Sequence, residues 1–120
     1  MSDLIRVIDL EVYARIGVPE ADRIEPQRLL ISLEICVDSF ARAAATDDLA
    51  GTINYAEVAE RVKQVAAQRE RKLIETLAEE IAFDLLKAFP MKKISLEIKK
   101  FILPDARHVS VKIERSHPPS

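Results

Sequence analysis

Hydrophobic and polar residues alternate along four segments of the chain, and this pattern predicts four β-strands. The segments lie within residues 5–16, 29–37, 94–98 and 109–113. In the first segment, alternation assigns one side of the strand to Ile8, Leu10, Val12, Ala14 and Ile16. A long polar loop punctuated by Gly and Pro joins the first two segments, so we predict a hairpin with an enlarged loop.

Between the two strand pairs, hydrophobic residues recur at helical spacing in two segments. Asn54 is a good N-cap for the first helix, and Glu57 completes a capping-box pattern. Its apolar stripe consists of Tyr55, Val58, Ala59, Val62, Val65 and Ala66. After the charged stretch "QRERK", the second helix starts in "RKLIETLAEEIA", residues 71–82, and Pro90 ends it. Its stripe consists of Ile74, Leu77, Ala78, Ile81 and Leu85.

This order of elements predicts a single α+β domain over residues 1–120, with a short tail at about residues 116–120. Two helices should cover one face of a four-stranded, mainly antiparallel sheet. The other face is polar, with Arg6, Glu34, Ser95, Glu97, Lys99, Lys112 and Glu114. A small sheet leaves its edge strands unpaired, so we expect several copies to close edge to edge into a ring.

Composition excludes several classes of function. The balance of 18 Lys and Arg against 20 Asp and Glu leaves a net charge of -2, which offers no general attraction for nucleic acid or membranes. No run is apolar enough to span a bilayer and no signal peptide is visible, so a cytoplasmic location is expected. Cys36 should be buried, and one Cys with two His makes a metal centre improbable.

Five separated pieces together resemble the dihydroneopterin aldolases of folate biosynthesis. They are "IGVPEADRIEPQR", "TDDLAGTINYAEVAERV", "RKLIETLAEEIA", "ISLEIKK" and "LPDARHVSVKIER". The resemblance implies the tunnelling fold, whose subunits assemble into rings that form a β-barrel, commonly as a homo-octamer of two stacked tetramers. It also implies active sites between subunits.

The resemblance implies a lyase reaction, the retro-aldol cleavage of 7,8-dihydroneopterin into 6-hydroxymethyl-7,8-dihydropterin and glycolaldehyde. The C6=N5 imine of the pterin accepts the electrons of the broken bond, so the family needs no metal and no other cofactor. The protein anchors the substrate, transfers protons and excludes water.

On the residues alone, Glu75 is explained by the favourable dipole at a helix start, and Tyr55 by burial in the core. The resemblance gives both another role. It implies that Glu75 binds the 2-amino group and N3–H of the pterin, with Leu73 and Ile74 beside it in the binding motif. Tyr55 is implied in proton transfer at the substrate side chain, with Asn54 as a secondary contact.

On the residues alone, Lys99 is explained as a solvated lysine on the polar strand face. Counting back without gaps from "HVSVKIER" assigns it to the catalytic lysine of the family, although Lys100 is only one residue away. Asp22 stands where the family usually has a glutamate that contacts the substrate side chain, so its reach is shorter. Gln27 matches a glutamine that holds the catalytic water, or it orients the loop.

Two other functions stay open at this point. The chain could be an epimerase acting on dihydroneopterin triphosphate, since Asp22 and "KKF" depart from the family where the substrate tail binds. It could also be a non-catalytic ring that binds a pterin or purine. The aldolase, with an accompanying C2' epimerase activity, is the first hypothesis.

Overall fold

In the computed structural model, which describes residues 2–117, four strands form one antiparallel sheet in sequence order. The strands are β1 (Asp3–Ala14), β2 (Gln27–Val37), β3 (Lys93–Lys100) and β4 (Val109–Ser116). The helices are α1 (Ala41–Thr46), α2 (Tyr55–Ala67) and α3 (Ile74–Ala88). The predicted α+β arrangement is therefore confirmed. The sheet is open within one chain, with β1 and β4 at its edges, and its closure into a barrel stays a prediction.

The core lies between the sheet and the pair formed by α2 and α3. Alternate residues of β2 and β3 point into it, and the predicted stripe of α3 is buried along its whole length. These core positions include Leu29, Ile31, Leu33, Ile35, Ile94, Leu96, Ile98, Leu77, Ile81 and Leu85. Cys36 is buried as expected. Apolar burial on one face of the sheet is thus the main stabilising term of the fold.

Strand β1 departs from the predicted alternation at a β-bulge. Its pairing with β2 shifts between Val7 and Leu10, and Asp9 has a positive φ of 55°. The extra residue turns Ile8 out to the polar face, where it is 56% exposed, while Val7 and Leu10 both pack against the core. The placement of Ile8 on the core side was therefore wrong, because a bulge reverses the alternation at that point.

The start of α2 has the predicted cap. The Asn54 side chain accepts a hydrogen bond from the Ala56 N–H at 3.0 Å. Among residues 2–117 no return bond from the Glu57 side chain completes a capping box. Tyr55 is 64% exposed, so it does not continue the apolar stripe into the core.

Two of the connections contain short helical turns. Residues 38–53 hold α1 and a 3₁₀ turn at Leu49–Gly51. The loop after β1 holds a 3₁₀ turn at Glu20–Arg23. Of the predicted tail, Ser116 ends β4 and His117 follows it, whereas 118–120 lie outside the described residues.

Candidate active site

The loop after β1 brings Asp22 against Gly17. Gly17 has a φ of 152°, which side chains rarely tolerate, and a Cβ built there would lie 2.4 Å from the Asp22 Cβ. Only glycine fits this contact. The Asp22 carboxylate is half-buried and accepts no hydrogen bond from residues 2–117, so its oxygens are free for a ligand.

Gln27, at the start of β2, ties this loop to the sheet. Its side-chain amide donates to the carbonyls of Ile16 and Asp22, the latter at 2.9 Å. Two donors of one amide therefore fix both ends of the turn that carries Asp22. The loop-orienting role of Gln27 is confirmed, while a role in holding water stays a prediction.

Residue 71 joins the same loop to the start of α3. The Arg71 N–H donates to the Arg15 carbonyl and the Arg71 carbonyl accepts from the Gly17 N–H, both at 3.0 Å. Four residues later, Glu75 lies exposed in the first turn of α3. Its carboxylate makes no hydrogen bond or ion pair within the described part of the chain. Asp22 and Glu75 therefore occupy the same end of the subunit, on the side that the helices cover.

The two lysines that end β3 point to opposite faces of the sheet. Lys100 pairs with Leu29 and continues the core-facing row that contains Ile98. Gln27 extends the neighbouring row of β2 on the same face, two residues before Leu29. Lys100 is partly exposed and forms no ion pair with any residue in the range 2–117. It lies at the end of the sheet that carries Gln27 and the Asp22 loop.

Lys99 pairs with Leu30 and lies on the polar face. Its ammonium forms an ion pair with Asp9, the bulged residue of β1, at 3.0 Å. Ser32 holds that carboxylate from β2, because its hydroxyl accepts from the Asp9 N–H and donates to Asp9 Oδ1. The hydrogen bond from Lys99 keeps the pKa of Asp9 below its ordinary value.

This geometry bears on the choice between Lys99 and Lys100, which the sequence places one residue apart. The gap-free count from β4 pointed to Lys99, but the strand register turns Lys99 away from Gln27 and toward Asp9. Lys100 lies on the face of the sheet that carries Gln27. The gap-free count assumes a fixed length for the loop between β3 and β4, and loop length varies more readily than strand register.

Tyr55 and Asn54 lie at the other end of the helix pair. Helices α2 and α3 are antiparallel, with Arg61 bonded to Asp84 and Arg69 bonded to Glu80. At 1.5 Å per residue, the start of α2 is about 18 Å from its end beside Arg71. One chain therefore does not bring Tyr55 to Glu75, and the predicted set is complete only if a second copy supplies Tyr55.

The remaining predicted binding residues lie next to Glu75. Leu73 is the N-cap residue of α3 and is 44% exposed, whereas Ile74 is buried. The exposed Leu73 side chain offers an apolar surface beside a carboxylate, a combination suited to a flat heteroaromatic ring with hydrogen-bond donors on one edge. Ile74 supports the helix start from the core.

Sequence reasoning missed one residue of this region. Arg71 was assigned to a charged linker, yet it is 4% exposed and its backbone joins the Asp22 loop to the segment before α3. Its charged side chain gave no signal of burial.

Two general properties of the described residues complete the picture. Between residues 2 and 117, no three His, Cys, Asp or Glu side chains gather in an arrangement able to hold a metal ion. None of the helices in that range is long and apolar enough to cross a membrane.

Comparison with known proteins gives consistent matches over nearly the whole chain. The family model for dihydroneopterin aldolase (FolB) matches residues 5–114. The dihydroneopterin aldolase of Methylorubrum extorquens is 45% identical over 102 residues, which cover 83% of this chain and 77% of that protein.

Solved structures agree in fold. The crystal structure of Escherichia coli dihydroneopterin aldolase in complex with neopterin has a TM-score of 0.90 and 30% identity, covering 95% of this chain and 99% of that one. The Burkholderia thailandensis dihydroneopterin aldolase bound to guanine has a TM-score of 0.82 and 25% identity, covering 98% and 93% of the two chains.

Proposed function

This chain belongs to the dihydroneopterin aldolase family of carbon–carbon lyases, and we propose that it cleaves 7,8-dihydroneopterin at a site completed by a second copy of the chain. The products are 6-hydroxymethyl-7,8-dihydropterin and glycolaldehyde. The observation that carries the proposal is the cluster of Asp22, Gln27, Lys100 and Glu75 at one end of the subunit. A chain of hydrogen bonds through Arg71 and Gly17 supports that cluster.

Glu75 anchors the pterin in this proposal. Its two oxygens accept hydrogen bonds from the 2-amino group and N3–H, which lie side by side on the ring. Support comes from the exposure of this carboxylate at a helix start and from its lack of a partner among residues 2–117. Related aldolases have been solved with neopterin and with guanine bound. Both molecules carry a 2-amino group next to a ring N–H, so both agree with such an anchor.

The bond that breaks joins C1' and C2' of the substrate side chain. Removal of the proton from the 2'-hydroxyl makes C2' a carbonyl carbon, which leaves as glycolaldehyde. The electron pair of the broken bond moves into the ring, where N5 takes a proton. Protonation of C1' and loss of the N5 proton then give the hydroxymethyl product and restore the C6=N5 imine.

Proton transfer falls to Lys100 and Tyr55. The orientation of Lys100 toward the Gln27 side of the sheet supports a role beside N5, acting through a water molecule. Tyr55 of a second copy approaches the side-chain hydroxyls, and the 64% exposure of Tyr55 leaves it accessible to such a neighbour. Asp22 contacts the same hydroxyls, and Asn54 acts through its cap on the helix that carries Tyr55.

The copies associate as a ring, commonly an octamer of two stacked tetramers in this family. The two open edges of the sheet, at β1 and β4, support association between neighbouring copies.

The first experiment incubates the purified protein with 7,8-dihydroneopterin in excess chelator. We expect the release of glycolaldehyde and 6-hydroxymethyl-7,8-dihydropterin in equal amounts, and chromatography measures both products. Parallel reactions with dihydroneopterin triphosphate and with the C2' epimers detect epimerisation. Binding of the pterin without either product would contradict the aldolase proposal.

A second experiment tests the shared site. Tyr55→Phe and Glu75→Gln are expressed separately and then together in the same cells. If each site takes Tyr55 from one copy and Glu75 from another, mixed rings contain some sites with both native residues. Activity should then exceed that of either variant alone. Equal activity of mixed and separate rings would show that the two residues do not serve one site across copies.

A further inference from the structure

Arg71 is the one charged side chain that is buried within residues 2–117. Its guanidinium donates through Nη2 to the Val65 carbonyl at 2.9 Å and through Nη1 to the carbonyls of Ala66 and Arg69, at 3.3 and 3.0 Å. Its Nε donates to the carboxylate of Glu80. The guanidinium therefore has polar partners on every nitrogen although it is shielded from water.

The partners belong to different elements. Val65 and Ala66 lie in the last turn of α2, where backbone carbonyls lose their regular helical partners. The Val65 carbonyl also accepts a hydrogen bond from the Gln68 N–H at 3.3 Å. Glu80 lies on α3, and burial, which raises its pKa, is outweighed by hydrogen bonds from Arg71 and Arg69 that lower it. The planar fork of an arginine can serve such divergent acceptors at once, whereas a lysine supplies only a point charge.

The backbone of Arg71 makes a second set of contacts. It bridges to Ile16 in parallel, through hydrogen bonds with Arg15 and Gly17 on either side. Gly17 touches Asp22, and Glu75 follows Arg71 by four residues. Side chain and backbone together therefore link the end of α2, the loop that carries Asp22 and the helix start that carries Glu75.

We infer that Arg71 is a positioning residue for the pterin site and sets the location of Glu75 relative to Asp22. The inference rests on the proposed function, which makes Glu75 the anchor. Stability alone does not explain Arg71, since an apolar residue of similar volume often stabilises a core as well as a buried ion pair does. Apolar contacts and the bond between Arg61 and Asp84 already join α2 to α3. Arg71 adds direction, because three of its side-chain hydrogen bonds fix particular backbone carbonyls.

The test compares Arg71→Met with wild type. Methionine has a similar length and no donor, so the bonds to α2 and to Glu80 are lost together. We expect the Kd for neopterin, measured by fluorescence titration well below the melting temperature, to rise about tenfold, because a displaced anchor loses its alignment with the ring. The Kd of Arg71→Lys should lie between those of wild type and Arg71→Met. In Arg71→Met, KM should rise by a larger factor than kcat falls.

Arg61→Met is the matched control. It removes an arginine that also bonds to a carboxylate across α2 and α3, but toward the end of the helix pair that is remote from Glu75. Its Kd for neopterin should equal that of wild type even where its melting temperature falls. If both variants weaken binding equally, Arg71 acts only through general stability and the inference fails.

A double variant decides whether Arg71 acts through Glu75. In the Glu75→Gln background, adding Arg71→Met should change the Kd by much less than tenfold, since the anchor it positions is already lost. Full additivity would overturn the inference. If Arg71→Met does not fold, Arg71→Lys and Glu80→Gln replace it in the same cycle.

The outcomes separate this inference from the proposed function. Unchanged neopterin binding in Glu75→Gln would remove the anchor and with it the proposed site. Weakened binding in Glu75→Gln, together with unchanged binding in folded Arg71→Met and Arg71→Lys, would leave the proposed site intact and overturn only the positioning role of Arg71.

Discussion

The polar face of the sheet and the end of its helix-covered face differ in the ion pairs that they hold. On the polar face, Arg6 pairs with Glu34 at 3.1 Å and Lys99 pairs with Asp9 at 3.0 Å. At the end of the helix-covered face, Glu75 and Lys100 find no ionic partner within residues 2–117. Charges that neutralise one another within the chain are used in its structure, while those left open are available to a ligand. The consecutive residues Lys99 and Lys100 differ in just this respect.

The largest effect on kcat should appear when these two lysines are substituted one at a time. Lys100→Ala is expected to lower kcat by a factor on the order of 10²–10⁴, the usual contribution of a general acid or base. Lys99→Ala should lower kcat far less, because it loses only the pair with Asp9. Steady-state assays of glycolaldehyde release measure both variants. A greater loss in Lys99→Ala would reverse the comparison.

Glu75 provides the next contrast. Glu75→Gln should weaken neopterin binding about 10- to 100-fold, since a hydrogen bond to a charged group contributes about 1.5–3 kcal/mol. Its matched control on the polar face is Glu34→Gln, which removes a carboxylate paired with Arg6. That control should bind neopterin like wild type in the same fluorescence titration. Equal losses in both variants would mean that the effect comes from net charge rather than from the anchor.

Lowering the pH should destabilise the fold through the carboxylates that are paired with arginine. Hydrogen bonds from Arg115 keep the pKa of Glu79 below its ordinary value of 4.5, and the pKa of Glu80 is also lowered. Between the lowered pKa and 4.5, the unfolded chain binds more protons than the folded chain, so stability must fall as pH drops through this range. Melting temperatures from pH 7 to 3 measure the loss. Glu79→Gln should show a shallower dependence, and an unchanged slope would contradict this assignment.

The smallest effect is expected from Asp9→Asn. Asparagine tolerates a positive φ and can still accept from Lys99, so the bulge and one hydrogen bond are retained while the charge is lost. The melting temperature should fall only slightly, with kcat unchanged. Asp9→Val is the control for the backbone, because a β-branched residue resists a φ of 55°, and it should melt clearly lower. A marked loss of kcat in Asp9→Asn would place the polar face in the reaction.

Periodicity alone predicted most of the fold. The stripe from Ile74 to Leu85 and the alternation from Ile94 to Ile98 are each a local consequence of burial on one side, which a single segment reveals. The bulge was hidden because Ile8 is apolar and the alternation of residue types runs through it unbroken. Pairing with β2, which no local pattern describes, decides where the strand slips.

The candidate site could be proposed from the sequence as a set of residue types but not as a geometry. A motif was enough to propose Glu75, whereas the choice between Lys99 and Lys100 rests on strand register and the length of a loop. Burial of Arg71 depends on carbonyls that converge only after α2 and α3 pack. Tyr55 fits the helical stripe by its position, yet it is exposed at the first residue of α2, whereas Val58 three residues later is buried.

The bulge at Asp9 makes β1 tolerant of changes in length at one point only. Elsewhere in that strand, the loss or gain of one residue would move a row of core side chains to the solvent-exposed face of the sheet. At the bulge, removal of one residue would straighten the strand and keep Val7 and Leu10 inward, since the extra residue is already unpaired. Homologous chains should therefore differ in length at this position before they differ anywhere else in β1, and a designer who wishes to shorten the strand should begin there.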